Sequence, residues 1–165
     1  MRSESLMDGY YRDPEATAAA VVDGWLATGD LGYLAEGTLF VTGRKKEIII
    51  RGGQTILPSA IEEVVAEDPD VRAGCVAAVG MYAPDQHTEL VWVVCETRVD
   101  VGEHAALVAR IRQRLRGRGM SADRVIPVEP GTLPKTTSGK IRRSALRAAL
   151  AGADRDVAAA LRRAS

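Results

Sequence analysis

Aromatic residues are scarce in this sequence: one phenylalanine, two tryptophans and four tyrosines among 165 residues. A core built from such a chain has to pack aliphatic side chains against one another. Cysteine is scarcer still. Cys75 and Cys95 lie in the apolar runs GCVAAV and VWVVCET, which reads as two reduced core thiols and not as a disulfide framework. No apolar run approaches the ~18 residues that a membrane-spanning helix needs. The opening MRSESLMDGYYRD has no apolar segment of the kind found in secretory leaders, so the expected location is the cytoplasm. His87 and His104 are isolated, and no Cys/His group has the spacing of a metal site. No metal is expected on these residues.

Net charge is absent too, with 22 basic and 22 acidic residues, but they are unevenly spread. Residues 1–102 carry 8 Lys/Arg and 17 Asp/Glu, a net of −9, and residues 103–165 carry 14 and 5, a net of +9. A basic end of this kind can face phosphates or an acidic partner protein. It can equally be a set of solvated Arg-rich helix faces. Aromatics do not interleave with these charges, which argues against a nucleic-acid surface.

The chain length suits one domain of ordinary size, or a small domain with an added segment. Residues 1–23 read as irregular with one short helix, PEATAAAVV, and GWLATGD as a turn-bounded strand end. GYLAEGTLFVTGR reads as a β-hairpin turning at Glu36-Gly37. The charged stretch at residues 44–47 marks a boundary. Beyond it, Ile48-Ile49-Ile50 reads as a buried strand broken by Arg51-Gly52-Gly53. Pro58 opens a helix with a stripe of Ile61, Val64 and Val65, and the Ser59/Glu62 spacing predicts a capping box. Strands are expected over 71–82 and 90–98. Asp100/Glu103 repeats the capping spacing before a helix with Leu107, Val108, Ile111 and Leu115 on one face. A strand over 124–128, a Pro/Gly/Ser/Thr loop over 130–140 and helices over 141–151 and 154–163 complete the pattern. The expectation is an α+β fold: a small domain over 48–151 with a short antiparallel sheet flanked by helices, and a terminal helix or tail over 152–165. Residues 1–43 are a helix plus a hairpin with too little apolar material for a core of their own.

Four features carry chemistry. LPKTTSGKIRR, residues 133–143, is a loop of small residues that ends in Gly139-Lys140 and runs into a helix. Its glycine permits close backbone approach to a ligand, and its lysine can set a compact positive charge beside developing negative charge. It also reads, more plainly, as a basic loop before a helix. Thr28-Gly29-Asp30 offers a carboxylate that could accept from a ribose diol, or could simply close a turn. Gly43-Arg44-Lys45-Lys46-Glu47 suits a hinge or an exposed turn. Gly52-Gly53 is bare backbone after a strand, or a plain turn.

In this order and spacing the four features resemble the adenylate-forming superfamily of acyl-CoA synthetases, acyl-AMP ligases and peptide-synthetase adenylation domains. GYYRDPEATAAAVVDGWLATGDLGYL resembles the end of that family's large N-terminal domain. GRKKEIIIRGGQTILPSAIEEVV resembles its hinge, with the first strand and helix of the C-terminal domain. LPKTTSGKIRR resembles its catalytic-lysine motif. The likeness runs from about Leu6 to Leu150. It implies that Asp30 holds the ribose hydroxyls of ATP, that Arg44 contacts the nucleotide, that Lys46 is the hinge residue and that Gly52 and Gly53 line the phosphopantetheine channel. Lys140 would bridge the acyl carboxylate and the α-phosphate.

The implied activity is ATP-dependent activation of a carboxylic acid with Mg2+, followed by transfer to the thiol of CoA or of a carrier protein's phosphopantetheine. VIPVEPGTLPKTTSGKIRRSALRAAL leans toward the fatty acyl-AMP ligases, hence toward a carrier. The family's phosphate loop, rich in Gly, Ser and Thr, has no counterpart in the chain. The expected partner is therefore an N-terminal adenylation domain, in cis or in trans, with little activity from this chain by itself. The alternative is a non-catalytic docking module for a carrier protein or a separate adenylating subunit.

Overall fold

The computed structural model describes residues 1–152 and Leu161. The helix expected over 154–163 lies outside the described residues, apart from Leu161. The chain forms two compact units that divide between Lys46 and Glu47.

The first unit begins with helix α1 (Pro14–Ala20), where Asp13 accepts from the Ala16 amide at 2.9 Å and Pro14 occupies the first turn. The helix stops sooner than PEATAAAVV suggests. Val21 and Val22 form strand β1, which pairs antiparallel with β2 (Trp25–Leu26) around Asp23-Gly24. β-branched valines favour extended backbone, so they leave the helix at the first opportunity. Strands β3 (Asp30–Ala35) and β4 (Thr38–Arg44) form the expected hairpin. Both turn residues have positive φ, Glu36 at 49° and Gly37 at 77°, the geometry of a two-residue turn that matches strand twist. Thr42 is an extra residue on β4, since Leu31 faces Gly43 while Gly32 faces Val41. Gly32 is needed there, because a Cβ would sit 2.5 Å from the Phe40 carbonyl oxygen. No residue of this unit is buried. Tyr33 and Phe40 stack at 5.1 Å, yet Leu34, Leu39 and Val41 stay exposed.

The second unit has a three-stranded sheet in the order β7-β8-β9. Strands β5 (Ile49–Arg51) and β6 (Gln54–Ile56) form a small hairpin before it, and helix α2 (Pro58–Ala66) follows. Strands β7 (Val71–Ala83) and β8 (Thr88–Thr97) are antiparallel, and β9 (Arg124–Val128) joins β8 in parallel after helix α3 (His104–Gly117). The sheet is thus mixed, not wholly antiparallel. A helix between two strands permits the parallel return that a short turn cannot make. Helix α4 (Arg143–Ala151) follows.

Alternation along the strands sends side chains to two cores. Val76, Ala78, Val91, Val93 and Cys95 face Ile61, Val64 and Val65 of α2 and Leu107, Ile111 and Leu115 of α3. Cys75, Ala77, Val79 and Val94 face Leu133, Leu146 and Leu150. Full burial of each large aliphatic is worth about 1.5–3 kcal/mol, so two-sided cover supplies the stability that few aromatics could. Both cysteines are free and buried. Burial, and then the nearby Asp68 charge, push the Cys95 thiol up to about 12.

Three local expectations are corrected. Of the three isoleucines, only Ile49 is buried; Ile48 is partly covered and Ile50 is exposed. Ser59 does not begin α2: Leu57 does, without a side-chain cap, and Pro58 takes the first helical position. Glu62 instead accepts from the Ala78 amide at 2.8 Å, closing the open edge of β7. Asp100 likewise makes no side-chain cap, and leads into a single 3-10 turn, Val101–Glu103, before α3.

Four arginines of the basic end pair with acids of the earlier part. Arg110 grips the fully buried Asp68 carboxylate through two nitrogens at 3.2 Å and also meets Asp70. Arg114 adds a contact to Asp68 at 3.5 Å. Arg118 meets Glu67, and Arg143 meets Glu47 and Glu62. The basic end of the sequence folds back on acids of the earlier part.

Candidate active-site elements

In the first unit, Asp30 opens β3 and Arg44 closes β4, so the two are direct cross-strand partners. Arg44 Nε lies 3.1 Å from Asp30 Oδ1, and both side chains are substantially exposed. The Asp30 amide donates to Thr28 Oγ1 at 3.1 Å, and the Lys45 amide to the Gly29 carbonyl at 2.8 Å. These bonds hold the carboxylate and guanidinium side by side at one end of the hairpin. A carboxylate suits a diol and a guanidinium suits a phosphate or a ring edge. The pair therefore fits the sugar and phosphate part of a nucleotide. Lys46 is exposed and is the last residue of this unit.

In the second unit, Gly52 and Gly53 form the two-residue turn between β5 and β6, with φ of 54° and 78°. A Cβ at either would meet open space. The glycines are thus required by the left-handed backbone and not by crowding. The Gly52 amide donates to Thr88 Oγ1 at 2.8 Å, which ties the turn to the β7–β8 hairpin end.

Lys140 lies at the far end of that sheet. Its loop is closed by a bridge between Lys135 and Ile141, by the Thr136 amide on the Lys140 carbonyl at 2.8 Å and by the Gly139 amide on the Thr136 carbonyl at 2.9 Å. Gly139 has φ 81°, and the Lys140 amide donates to Thr136 Oγ1 at 3.1 Å. The small residues therefore bond to one another and leave the lysine side chain outside. Among the described residues, the Lys140 ammonium has no hydrogen-bond or ion-pair partner.

The loop is fixed on both sides. After it, Arg143 is held bidentately by Glu62, with both bonds at 2.8 Å, and by Glu47 at 3.0 Å. Before it, the Leu133 amide donates to Glu96 Oε1 at 3.0 Å. Lys135 reaches down to Cys75 Sγ at 3.0 Å and to the Gly74 carbonyl at 3.4 Å. Glu96 and Lys135 were not singled out from the sequence. A charged residue amid the apolar VWVVCET was the available signal.

The glycine turn and the Lys140 loop are anchored toward opposite ends of β7. The turn is tied to Thr88, the partner of Ala83, whereas the lysine loop is tied to Gly74 and Cys75. Along an extended strand these anchors lie roughly 25 Å apart.

No protein-family model matches the chain. Individual relatives do. A sulfoacetate–CoA ligase of Cupriavidus necator is 39% identical over 146 residues, which is 87% of this chain and 28% of that enzyme. An indoleacetate–CoA ligase of Aromatoleum aromaticum is 37% identical over 151 residues, 89% of this chain and 28% of its own. Among solved structures, the McyG A-PCP complexed with phenylalanyl-adenylate superposes with a TM-score of 0.82 at 30% identity, over 91% of this chain and 24% of that one. A fatty acyl-adenylate ligase structure, from a study of the E. coli and L. pneumophila enzymes, gives 0.73 at 32% identity, over 89% of this chain and 26% of its own. Over most of its length the chain is similar to a C-terminal portion of acyl-CoA synthetases and adenylation domains, the adenylate-forming enzymes. It spans about 28% of the length of these curated relatives.

Proposed function

We propose that this chain supplies the catalytic-lysine domain of a ligase that activates a carboxylic acid with ATP. In the first step a carboxylate oxygen attacks the α-phosphorus and pyrophosphate leaves. In the second a thiol attacks the acyl carbon and AMP leaves. Lys140 sits beside the carboxylate and α-phosphate and offsets the charge that builds between them, which is positioning joined to electrostatics. Asp30 accepts from the ribose hydroxyls and Arg44 contacts the nucleotide. Mg2+ accompanies the ATP, which is held chiefly by the larger domain. The acceptor thiol belongs to CoA or to a carrier protein's phosphopantetheine and approaches along the Gly52-Gly53 turn. The reaction is assigned to the cytoplasm.

The observation that carries this reading is the exposed Lys140 ammonium, without a partner among the described residues, on a loop that Thr136, Ser138 and Gly139 close by bonds of their own. The separation of that loop from the Gly52-Gly53 turn supports a two-orientation mechanism, in which the second unit turns about Lys46 between half-reactions. The exposed apolar hairpin of the first unit supports its belonging to a larger domain.

The test is reconstitution. The 165-residue chain by itself is expected to show no acid-dependent ATP–pyrophosphate exchange. Mixed with or joined to a large adenylation domain that lacks this portion, it is expected to restore exchange, and the Lys140→Ala chain is not. Binding to the large domain or to a carrier without restored exchange would favour a docking module instead.

A further inference from the structure

Glu96 is a charged residue in the interior of an aliphatic domain. It lies near the end of β8, flanked by Cys95 and Thr97, with only 1% of its surface exposed. A carboxylate in such a place has to be fully bonded or neutralised. Burial opposes its ionisation, but the amides of Leu133 and Gly131, the Cys75 thiol and the Arg72 guanidinium outweigh it and hold Glu96 below the usual carboxylate range. Two of those four partners are backbone groups of one segment, residues 131–133, which leads directly into Pro134, Lys135 and the Lys140 loop. Thirty-seven residues separate Glu96 from Leu133.

The neighbours of the carboxylate have the same orientation. Cys75 touches Glu96 on one side and accepts from Lys135 Nζ on the other. Lys135 is the residue whose bridge to Ile141 closes the loop. Sheet, carboxylate, thiol and loop therefore make one connected support. The Arg142 amide completes it by donating to the Pro134 carbonyl at 2.8 Å. The carboxylate divides its acceptors: Oε2 takes the Arg72 guanidinium on β7, and Oε1 takes the Leu133 amide of a loop that regular secondary structure does not hold, so the charge ties that loop to the sheet.

We infer that Glu96 is a positioning residue for Lys140: its carboxylate fixes the 131–133 backbone and so sets where the catalytic loop stands. The role rests on the assignment of Lys140 made above, although the loop-holding part can be tested without it. Bonds from amides to an ionised carboxylate are stronger than neutral ones, and a misplacement of about 1 Å can cost on the order of 10²-fold in rate.

Amide hydrogen exchange of the 165-residue chain tests the holding role directly. Glu96→Gln is expected to lower protection at residues 131 and 133 by about 10-fold or more, while Val91–Cys95 keeps its protection. Glu96→Asp keeps the charge but withdraws it by one methylene. It is expected to release the same segment, and it decides the matter if the Gln variant does not fold. Unchanged protection at 131–133 in a folded variant would overturn the inference, as would an equal loss across the whole sheet.

In the reconstituted ligase, Glu96→Gln is expected to lower kcat for acyl-adenylate formation at least 10-fold, with KM for the acid little changed and thioester transfer from supplied acyl-AMP spared. Full adenylation by a variant whose loop is released would refute the positioning role. If Lys140→Ala leaves adenylation intact while Glu96→Gln still frees the loop, the catalytic assignment fails and the structural link stands.

Discussion

Arg44 and Asp30 face each other across the β3–β4 ladder, and their side chains meet at 3.1 Å. The pair is exposed, so it contributes at most about 1 kcal/mol to stability. Its proposed task lies in the nucleotide. In the reconstituted ligase, Asp30→Ala is expected to raise KM for ATP by about 10-fold, on the scale of a hydrogen bond to a charged group. The melting temperature of the 165-residue chain should hardly move. A clear thermal loss with unchanged KM would make the pair structural.

Asp68 joins the end of α2 to α3 through Arg110 and Arg114. Burial opposes its ionisation, but Arg110, the Asp70 amide and Arg114 outweigh it, so its pKa falls below the ordinary 3.8. Glu96 is lowered from its ordinary 4.5 in the same way. A lowered folded-state pKa means that the unfolded chain takes up protons first as acid is added. The stabilisation is therefore complete above the ordinary values and is lost as pH falls through the folded ones. The melting temperature should be flat from about pH 7 to 5 and fall below about pH 4. Asp68→Asn should cost about 2 kcal/mol at pH 7 and shallow the acid slope. An acid slope equal to that of the unmodified chain would show that Asp68 contributes nothing to it.

The parts of the fold legible in the sequence were the locally determined ones. Glu36-Gly37 between apolar runs specifies a hairpin because the turn's backbone and the strands' twist agree within a few residues. The stripe of Ile61, Val64 and Val65, and that of Leu107, Ile111 and Leu115, follow from helical periodicity. The partial cover of Ile48 and the exposure of Ile50 were not legible, since a two-stranded hairpin covers one face only. The capping spacings misled because Pro58 suits the first helical turn better than Ser59 suits the cap, and because Glu62 is drawn to the β7 edge and to Arg143. The parallel β9 and the Arg–acid pairs depend on partners some 30 or more residues apart, as in Trp92 with Arg124 and Arg110 with Asp68. The loop that carries Lys140 was legible, whereas Glu96 on β8 and Cys75 on β7, which bond to the segment around it, sit in largely apolar strands.

Gly53 holds φ 78° in a turn with space around it. Gly53→Ala should therefore fold, at a cost of about 1–2 kcal/mol for left-handed backbone. In the ligase it is expected to slow thioester formation more than adenylation, because the added methyl would narrow the proposed thiol path. Equal slowing of both half-reactions would point to general loosening of the β5–β6 turn. Chemical denaturation and separate half-reaction assays on one protein preparation distinguish the two.

Lys140 and Lys46 give the most direct test of the whole account. Their proposed duties fall in different half-reactions, one at the α-phosphate and the other at the joint that turns the domain. Lys140→Ala removes one charge-stabilising group and should slow adenylation by about 10²-fold or more, with thioester formation from supplied acyl-AMP largely spared. Lys46→Pro fixes φ near −65° and restricts Lys45 as well. It should leave adenylation near normal and impair transfer. The decisive measurement is each half-reaction, taken separately, for both variants of the reconstituted ligase. Opposite patterns are the expected result. Equal damage by both substitutions to the same half-reaction would contradict a domain that turns about Lys46 to bring Lys140 and the Gly52-Gly53 turn to one site in succession.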